Sequence, residues 1–356
     1  MNLSDKLADL AIERQLDLNR YTGSLQNNIL RLMRDLALDI EEQFRGDLTD
    51  YNKARLSALI REIRTLVADT YGVLADQLST EFPQLAADEA AWARQSFNAA
   101  VGANLMASLP TEAAIAGVAR EIVIENTPMR DWLKRGQGDT EFRLTQAIRA
   151  GISLGETNGQ IMRRIRGDKE KLTQQSAKGT VIGITRANLN TLVRTSVQEI
   201  SSNAMLATYS ANADIIKSIV SLATLDSRTT ELCASYDLKE FDAVTKEPIG
   251  HSLPYRPIPR HFGCRSRWSP RVKSFKELGL DIADYSPSVR ASMDGEVPAK
   301  RTFEEFLAAK PKAWQDEYLG KGRADLWREK KLTLADLLDQ SGNPLTLREL
   351  QARYGQ

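Results

Sequence analysis

Twice within the first eighty residues, apolar side chains recur at steps of three and four. Leu25, Ile29, Leu32, Leu36, Ile40 and Phe44 form one series; Leu56, Leu59, Ile60, Ile63, Leu66, Tyr71, Leu74 and Leu78 form the next. At 3.6 residues per turn each series lines one face of an α-helix, so the front of the chain is expected to be helical. Gly46 reads as a stop between them, Asp50 or Asn52 as a cap for the second helix, and Pro83 as its end. Two such helices on a short loop pack antiparallel. Further helices are expected at Asp88–Leu109, Thr111–Glu125, Glu141–Ser153 and Asn158–Arg166, after which RGDKEK (166–171) reads as a solvated charged turn.

From about Thr180 the pattern changes. A helix rich in Thr, Asn and Arg (Thr185–Ser210) leads into Ile215, Ile216, Ile219, Val220 and Leu222, a short β-branched run with the signature of a buried strand. Four prolines follow between Pro248 and Pro259, and beyond Pro270 short helical stretches alternate with Gly and Pro breaks. Trp314, Tyr318, Leu319, Trp327 and Leu332 are the residues available to pack that tail down. The expected fold class is therefore mainly α: an elongated N-terminal helical region (1–178), a small α+β module (179–273) and a short helical C-terminal extension (274–356). Hydrophobic content of 42% and charged content of 27% over 356 residues are those of a globular chain. Two cysteines are too few for a disulfide framework and point to a reducing compartment. With no apolar run of eighteen residues and with acids close to the start, neither a membrane span nor a signal peptide is expected.

Most of the chemistry-bearing residues gather in PRHFGCRSRW, Pro259 to Trp268. Cys233, His251, His261 and Cys264 are the atom types zinc takes, and H-x-x-C is a usable local spacing, but Cys233 has no CxxC partner and His251 lies in a Gly/Pro-rich loop. A Cys/His nucleophilic pair is a second reading, with Arg265 and Arg267 favouring a thiolate at Cys264. None of the usual nucleotide-binding, hydrolase or metalloprotease motifs occurs. Between Pro254 and Lys276 stand Arg256, Arg260, Arg265, Arg267, Arg271, Lys273 and Lys276 without one Asp or Glu. Tyr255, Phe262 and Trp268 interleave with them, a composition suited to phosphates and stacked bases, unless each arginine pairs with a distant carboxylate. If these cations form an exposed patch, reversing Arg267 and Arg271 to glutamate should leave the fold intact. Asp226, Arg228 and Thr229, directly after the strand, read as an internal carboxylate–guanidinium pair that shapes the next turn.

The order of these features resembles a known family. ATLDSRT (223–229), Cys233 and the Pro-rich approach to PRHFGCRSRW are similar to the D-x-R-T…C…P-x-H-x-x-C-R signature of the phage Mu F-like head morphogenesis proteins of tailed bacteriophages. Arg194, Thr195 and SNAMLATY resemble the helix that precedes it there; FEEFLAAKP, Trp314, YLGKGRADLWREKKLTLADLL and LTLREL resemble the C-terminal extension of phage members. The likeness covers about residues 180 to 350. Where many relatives carry two more cysteines in a zinc-like pattern, this chain has Thr230 and Ser266. The resemblance thus implies a structural Cys/His cluster of Cys233, His261 and Cys264, both thiols close together and reduced, with zinc at these three as the lesser reading and no cofactor. It places the arginines outward, toward portal or DNA. The implied protein is a minor head protein of the virion, assembled in the host bacterial cytoplasm. It acts at the portal vertex, has portal protein, capsid or scaffold protein and phage DNA as partners, and catalyses nothing; a DNA-binding or metal-dependent nucleic-acid-processing protein is the alternative.

Overall fold

The computed structural model describes residues 3–44, 53–168, 179–273, 289–329 and 332–354. Gly46, Asp50, Asn52, Lys276 and the last three residues of RGDKEK lie outside these. The chain is mainly α. The two apolar series fall within α1 (Leu3–Gln43) and α2 (Lys53–Val101), except for Phe44 in the turn after α1, with Leu25, Ile29, Leu36 and Ile40 of the first and Leu59, Ile63, Leu74 and Leu78 of the second buried. Lys6 donates to the Ala100 carbonyl at 3.3 Å and Arg14 pairs with Glu89 at 2.7 Å, so the partners climb α1 while descending α2 and the helices run antiparallel.

Pro83 does not end α2, and no new helix starts at Asp88; one helix runs through both. An interior proline removes a backbone hydrogen bond and crowds the preceding turn, costing about 3 kcal/mol. Phe82, Leu85, Ala86 and Ala90 around it are buried, and one Phe or Leu side chain removed from water recovers about 1.5–3 kcal/mol. Local propensity loses to burial here.

The next helix, α3 (Glu112–Arg120), is shorter than expected because Glu125 and Asn126 take positive φ, 48° and 61°. That is the conformation of a two-residue hairpin turn, and it joins β1 (Val123–Ile124) to β2 (Thr127–Pro128). α4 (Met129–Ser153) begins well before Glu141. Its Gly136 lies against Tyr71, whose hydroxyl is 3.0 Å from Thr140 Oγ1, and Thr140 is 3.1 Å from Thr185 Oγ1. Burial in this seam pushes the Tyr71 phenol up to about 12. α5 (Asn158–Arg166) opens on a capping box between Thr157 and Gln160. Arg166 is not part of a solvated turn: it is buried and pairs with Glu41 at 3.1 Å. α6 (Val181–Ser210) follows.

The strand expected near 215–222 is β3 (Ile216–Leu222), buried at six of its seven positions. After α7 (Glu231–Ser235) come β4 (Glu240–Asp242), β5 (Pro248–Ile249) and β6 (Arg267–Val272), which complete an antiparallel sheet in the order β5-β4-β3-β6. β6 lies at the edge, which is where a strand proline, Pro270, is tolerated. The hairpin β7 (Val289–Ser292) and β8 (Gly295–Pro298) precedes α8 (Phe303–Ala308), α9 (Lys312–Leu319), α10 (Lys321–Arg328) and α11 (Leu347–Tyr354). Phe303, Phe306, Leu319, Trp327 and Leu332 form the core of this tail, with Trp314 and Tyr318 packed on it.

The compact units do not follow chain order. One joins Asn19–Leu85 to Gly117–Ile200; the other joins Met1–Leu18, Ala86–Ala116 and Ser201–Gln356. Boundaries at 178 and 273 are therefore not where the chain divides, because α1, α2 and α6 each contribute to both units. Among the described residues no helix is long and apolar enough to cross a membrane.

Candidate functional site

Thr230 caps α7: its backbone is extended and its hydroxyl accepts from Cys233 N at 3.3 Å. This short helix turns Cys233 inward. Thirty-one residues after Cys233, Cys264 N donates to the His261 carbonyl at 3.1 Å and Gly263 takes φ +76°, a left-handed value that glycine adopts without strain. The tight turn brings His261 and Cys264 to the same point just before β6. Cys233 Sγ lies 3.6 Å from Cys264 Sγ and 3.2 Å from His261 Nε2, and all three ligand atoms fall within 4.8 Å of one another. Both cysteines are free, buried, and part of the core that includes Tyr236, Phe241, Ile258 and Trp268. His251 is elsewhere, with Nε2 2.8 Å from the Glu240 carbonyl and its ring edge-on to Phe241.

The two thiols differ. The hydrogen bond with Cys264, helped by His261 and the charge of Arg260 against the cost of burial, holds the Cys233 thiol well below its ordinary value. The same hydrogen bond, with burial, pushes Cys264 well above it. For His261 burial works downward, but the Cys233 sulfur outweighs it and the imidazole is raised. Its Nδ1 lies 2.9 Å from the Phe262 carbonyl and donates to it, so Nε2 is the nitrogen that faces the thiols. Thr230 Oγ1 is 3.0 Å from that nitrogen on the exposed side of the cluster.

The arginines are not an outward patch, and this corrects the sequence reading. Arg265 forms a two-pronged pair with Asp226, at 2.5 and 2.7 Å. Burial alone would raise the Asp226 carboxyl, but the Arg265 contacts and the Arg228 backbone N–H at 3.0 Å hold it below its usual range. Asp226 is thus paired with Arg265 and not with the Arg228 guanidinium, which is exposed. Thr229 is buried, and its carbonyl accepts from the Tyr318 hydroxyl at 2.9 Å. Arg267 is 3% exposed, with Nη2 3.4 Å from Glu89 Oε2 and 2.7 Å from Met205 Sδ. Arg271 pairs with Glu240 at 3.2 Å; Arg256 donates to the Ser341 carbonyl at 2.9 Å and to that of Gln340; Lys273 donates to the Asp214 carbonyl. Arg260 stacks over Tyr236 at 4.5 Å and Trp268 at 5.5 Å, and bonds Ser221 Oγ at 2.9 Å. Tyr255 is stacked on Trp268, ring centroids 5.4 Å apart, so these rings build core and not a platform for bases. The carboxylates stand 39 and 178 residues from Arg265 and Arg267, a distance no local window spans.

Two residues absent from the sequence reading hold the module together. Glu89, fully buried, accepts from Arg14, Arg267 and Ser201, tying α1, β6 and α6 to α2. Asp237 pairs with buried Arg290 at 3.0 Å and accepts from Ala223 N at 2.8 Å and Phe303 N at 2.7 Å, which fastens β7 and α8 to the end of β3. Neither carries a local signal; an acid inside an apolar helical stretch such as AADEAAWA is the nearest thing to one. No family model, curated protein or solved structure matches the chain.

Proposed function

We propose that the protein is a minor head protein of a tailed bacteriophage, incorporated in few copies at the portal vertex during procapsid assembly. The portal protein is its main partner, with major capsid or scaffold protein beside it. The observation that carries this reading is the ordered series Asp226-x-Arg-Thr229, Cys233 and Pro259-x-His261-x-x-Cys264-Arg265, the residues of the Mu F-like resemblance. Its support from geometry is that Asp226 meets Arg265 and Cys233 meets His261 and Cys264, so each half of the series contacts the other. DNA contact through the arginines is not part of the proposal, because Arg265, Arg267 and Arg271 have carboxylate partners of their own. Expressed as a tagged chain together with the portal protein encoded near it, the protein should co-purify with portal rings and enter procapsids far below the capsid copy number. Its absence from procapsids would overturn the reading, and divalent-dependent cleavage of DNA by the purified chain would replace it with the nucleic-acid-processing alternative.

A further inference from the structure

We propose that Cys233, His261 and Cys264 form a three-ligand site for a thiophilic divalent cation, zinc(II) foremost, with its fourth corner open on the side of Thr230. The inference does not rest on the portal reading; it rests on spacing, ligand orientation and access. A tetrahedral zinc with Zn–S near 2.3 Å and Zn–N near 2.0–2.1 Å sets two sulfurs about 3.8 Å apart and a sulfur and nitrogen about 3.5 Å apart. The corresponding separations here are 3.6 Å and 3.2 Å, with every ligand atom within 4.8 Å of the others. The sequence arguments against zinc were that Cys233 has no CxxC partner and that His251 lies in a Gly/Pro-rich loop. His251 is not at the site, and the residues that meet are Cys233, His261 and Cys264. The turn at Gly263 and the cap at Thr230 fix them.

Orientation is the second argument. Metal-bound imidazoles are held by a hydrogen bond from the other ring nitrogen, and His261 Nδ1 already donates to the Phe262 carbonyl, which aims Nε2 at the sulfurs. Both sulfurs are buried, whereas Thr230 is exposed and leaves one approach. On binding, each thiol that is still protonated and any proton on Nε2 pass to solvent. Two thiolates, one neutral imidazole and a divalent ion make a neutral centre, which lowers the cost of burying it among core residues. With three protein ligands the fourth position falls to water or to a donor from outside, so the ion is exchangeable, unlike one in a closed four-ligand site.

Titration of the metal-stripped, reduced full-length chain with cobalt(II) tests this. One equivalent should bind, giving a thiolate-to-cobalt charge-transfer band and tetrahedral ligand-field bands that zinc then removes. Cys264→Ser should halve the charge-transfer intensity or abolish binding. Since Cys264 is a core residue, His261→Asn, at the half-buried rim, is the second variant: binding at least tenfold weaker, with the thiolate band retained at saturation. Thr230→Cys places a third sulfur at the open corner and should tighten binding and raise the charge-transfer intensity by about half, in proportion to thiolate number. A parent chain that binds no cobalt while both thiols titrate freely and its circular dichroism is that of a folded protein overturns the proposal. So does a Thr230→Cys variant that binds no more tightly. Neither assay involves portal, so the two readings fail separately.

Discussion

The α1–α2 hairpin and the small sheet with its cysteine turn are held together by different physics. Along the helices, Leu25, Ile29, Leu36, Ile40, Ile63, Leu74 and Leu78 are removed from water, an attraction without direction that tolerates small shifts. Around the sheet, three carboxylates do the fastening: Glu89 for Arg14 and Arg267, Asp226 for Arg265, Asp237 for Arg290. A buried ion pair repays its desolvation only if its geometry is kept, and removing one partner leaves an uncompensated charge. The helical seam should therefore degrade by degrees under substitution, and the sheet region should fail at single points.

The sharpest test is Arg267→Glu. It sets a second carboxylate against fully buried Glu89, and the expected loss is about 5 kcal/mol, at or beyond the usual 3–5 kcal/mol for breaking a buried pair. Soluble yield and the urea midpoint measure it, and a folded variant with the parent midpoint would break the comparison. This reverses the expectation, drawn from an exposed patch, that such a charge reversal leaves the fold intact. Arg267→Met sharpens the point: Glu89 keeps Arg14, so this variant should cost less than Arg267→Glu, and equal losses would mean that packing, not charge, holds the site.

Next in size is the helical seam. Ile63→Ala, at 2% exposure, should cost about 2–5 kcal/mol through lost burial and the cavity left behind, read from the denaturant midpoint at unchanged slope. A loss under about 0.5 kcal/mol would mean that this face does not carry the hairpin.

The smallest effects distinguish two neighbours that look equivalent in DSRT. Asp226→Asn should cost about 1–2 kcal/mol, discounted because the pair is partly exposed, while Arg228→Ala should stay within about 0.5 kcal/mol. Since the Asp226 carboxyl is held below its ordinary 3.8, its contribution is present above that pH and lost as pH falls through the lowered folded value. The gap between parent and Asp226→Asn should accordingly persist from neutral pH to about pH 4 and close only below it. A gap that closes near neutrality would point to some group other than Asp226.

What the sequence settled on its own was whatever repeats within a few residues. The three- and four-residue apolar steps located the second half of α1 and the first half of α2, the β-branched run located β3, and Asn158–Arg166 was found with its ends correct. A helix or strand presents its buried face at a fixed local period, so those signals need no knowledge of the partner. Only the tertiary structure decided the rest. Pro83 sits inside α2 because the burial of Phe82 and Leu85 outweighs a local penalty. Arg265 and Arg267 are internal because Asp226 and Glu89 come from distant parts of the chain. His261 joins the two cysteines, while His251 faces Glu240 and Phe241. Charge and ligand chemistry act between atoms a few ångströms apart whatever their separation along the chain. An unpaired run such as PRHFGCRSRW cannot show on which side of the surface it lies until the fold supplies the other half of each contact.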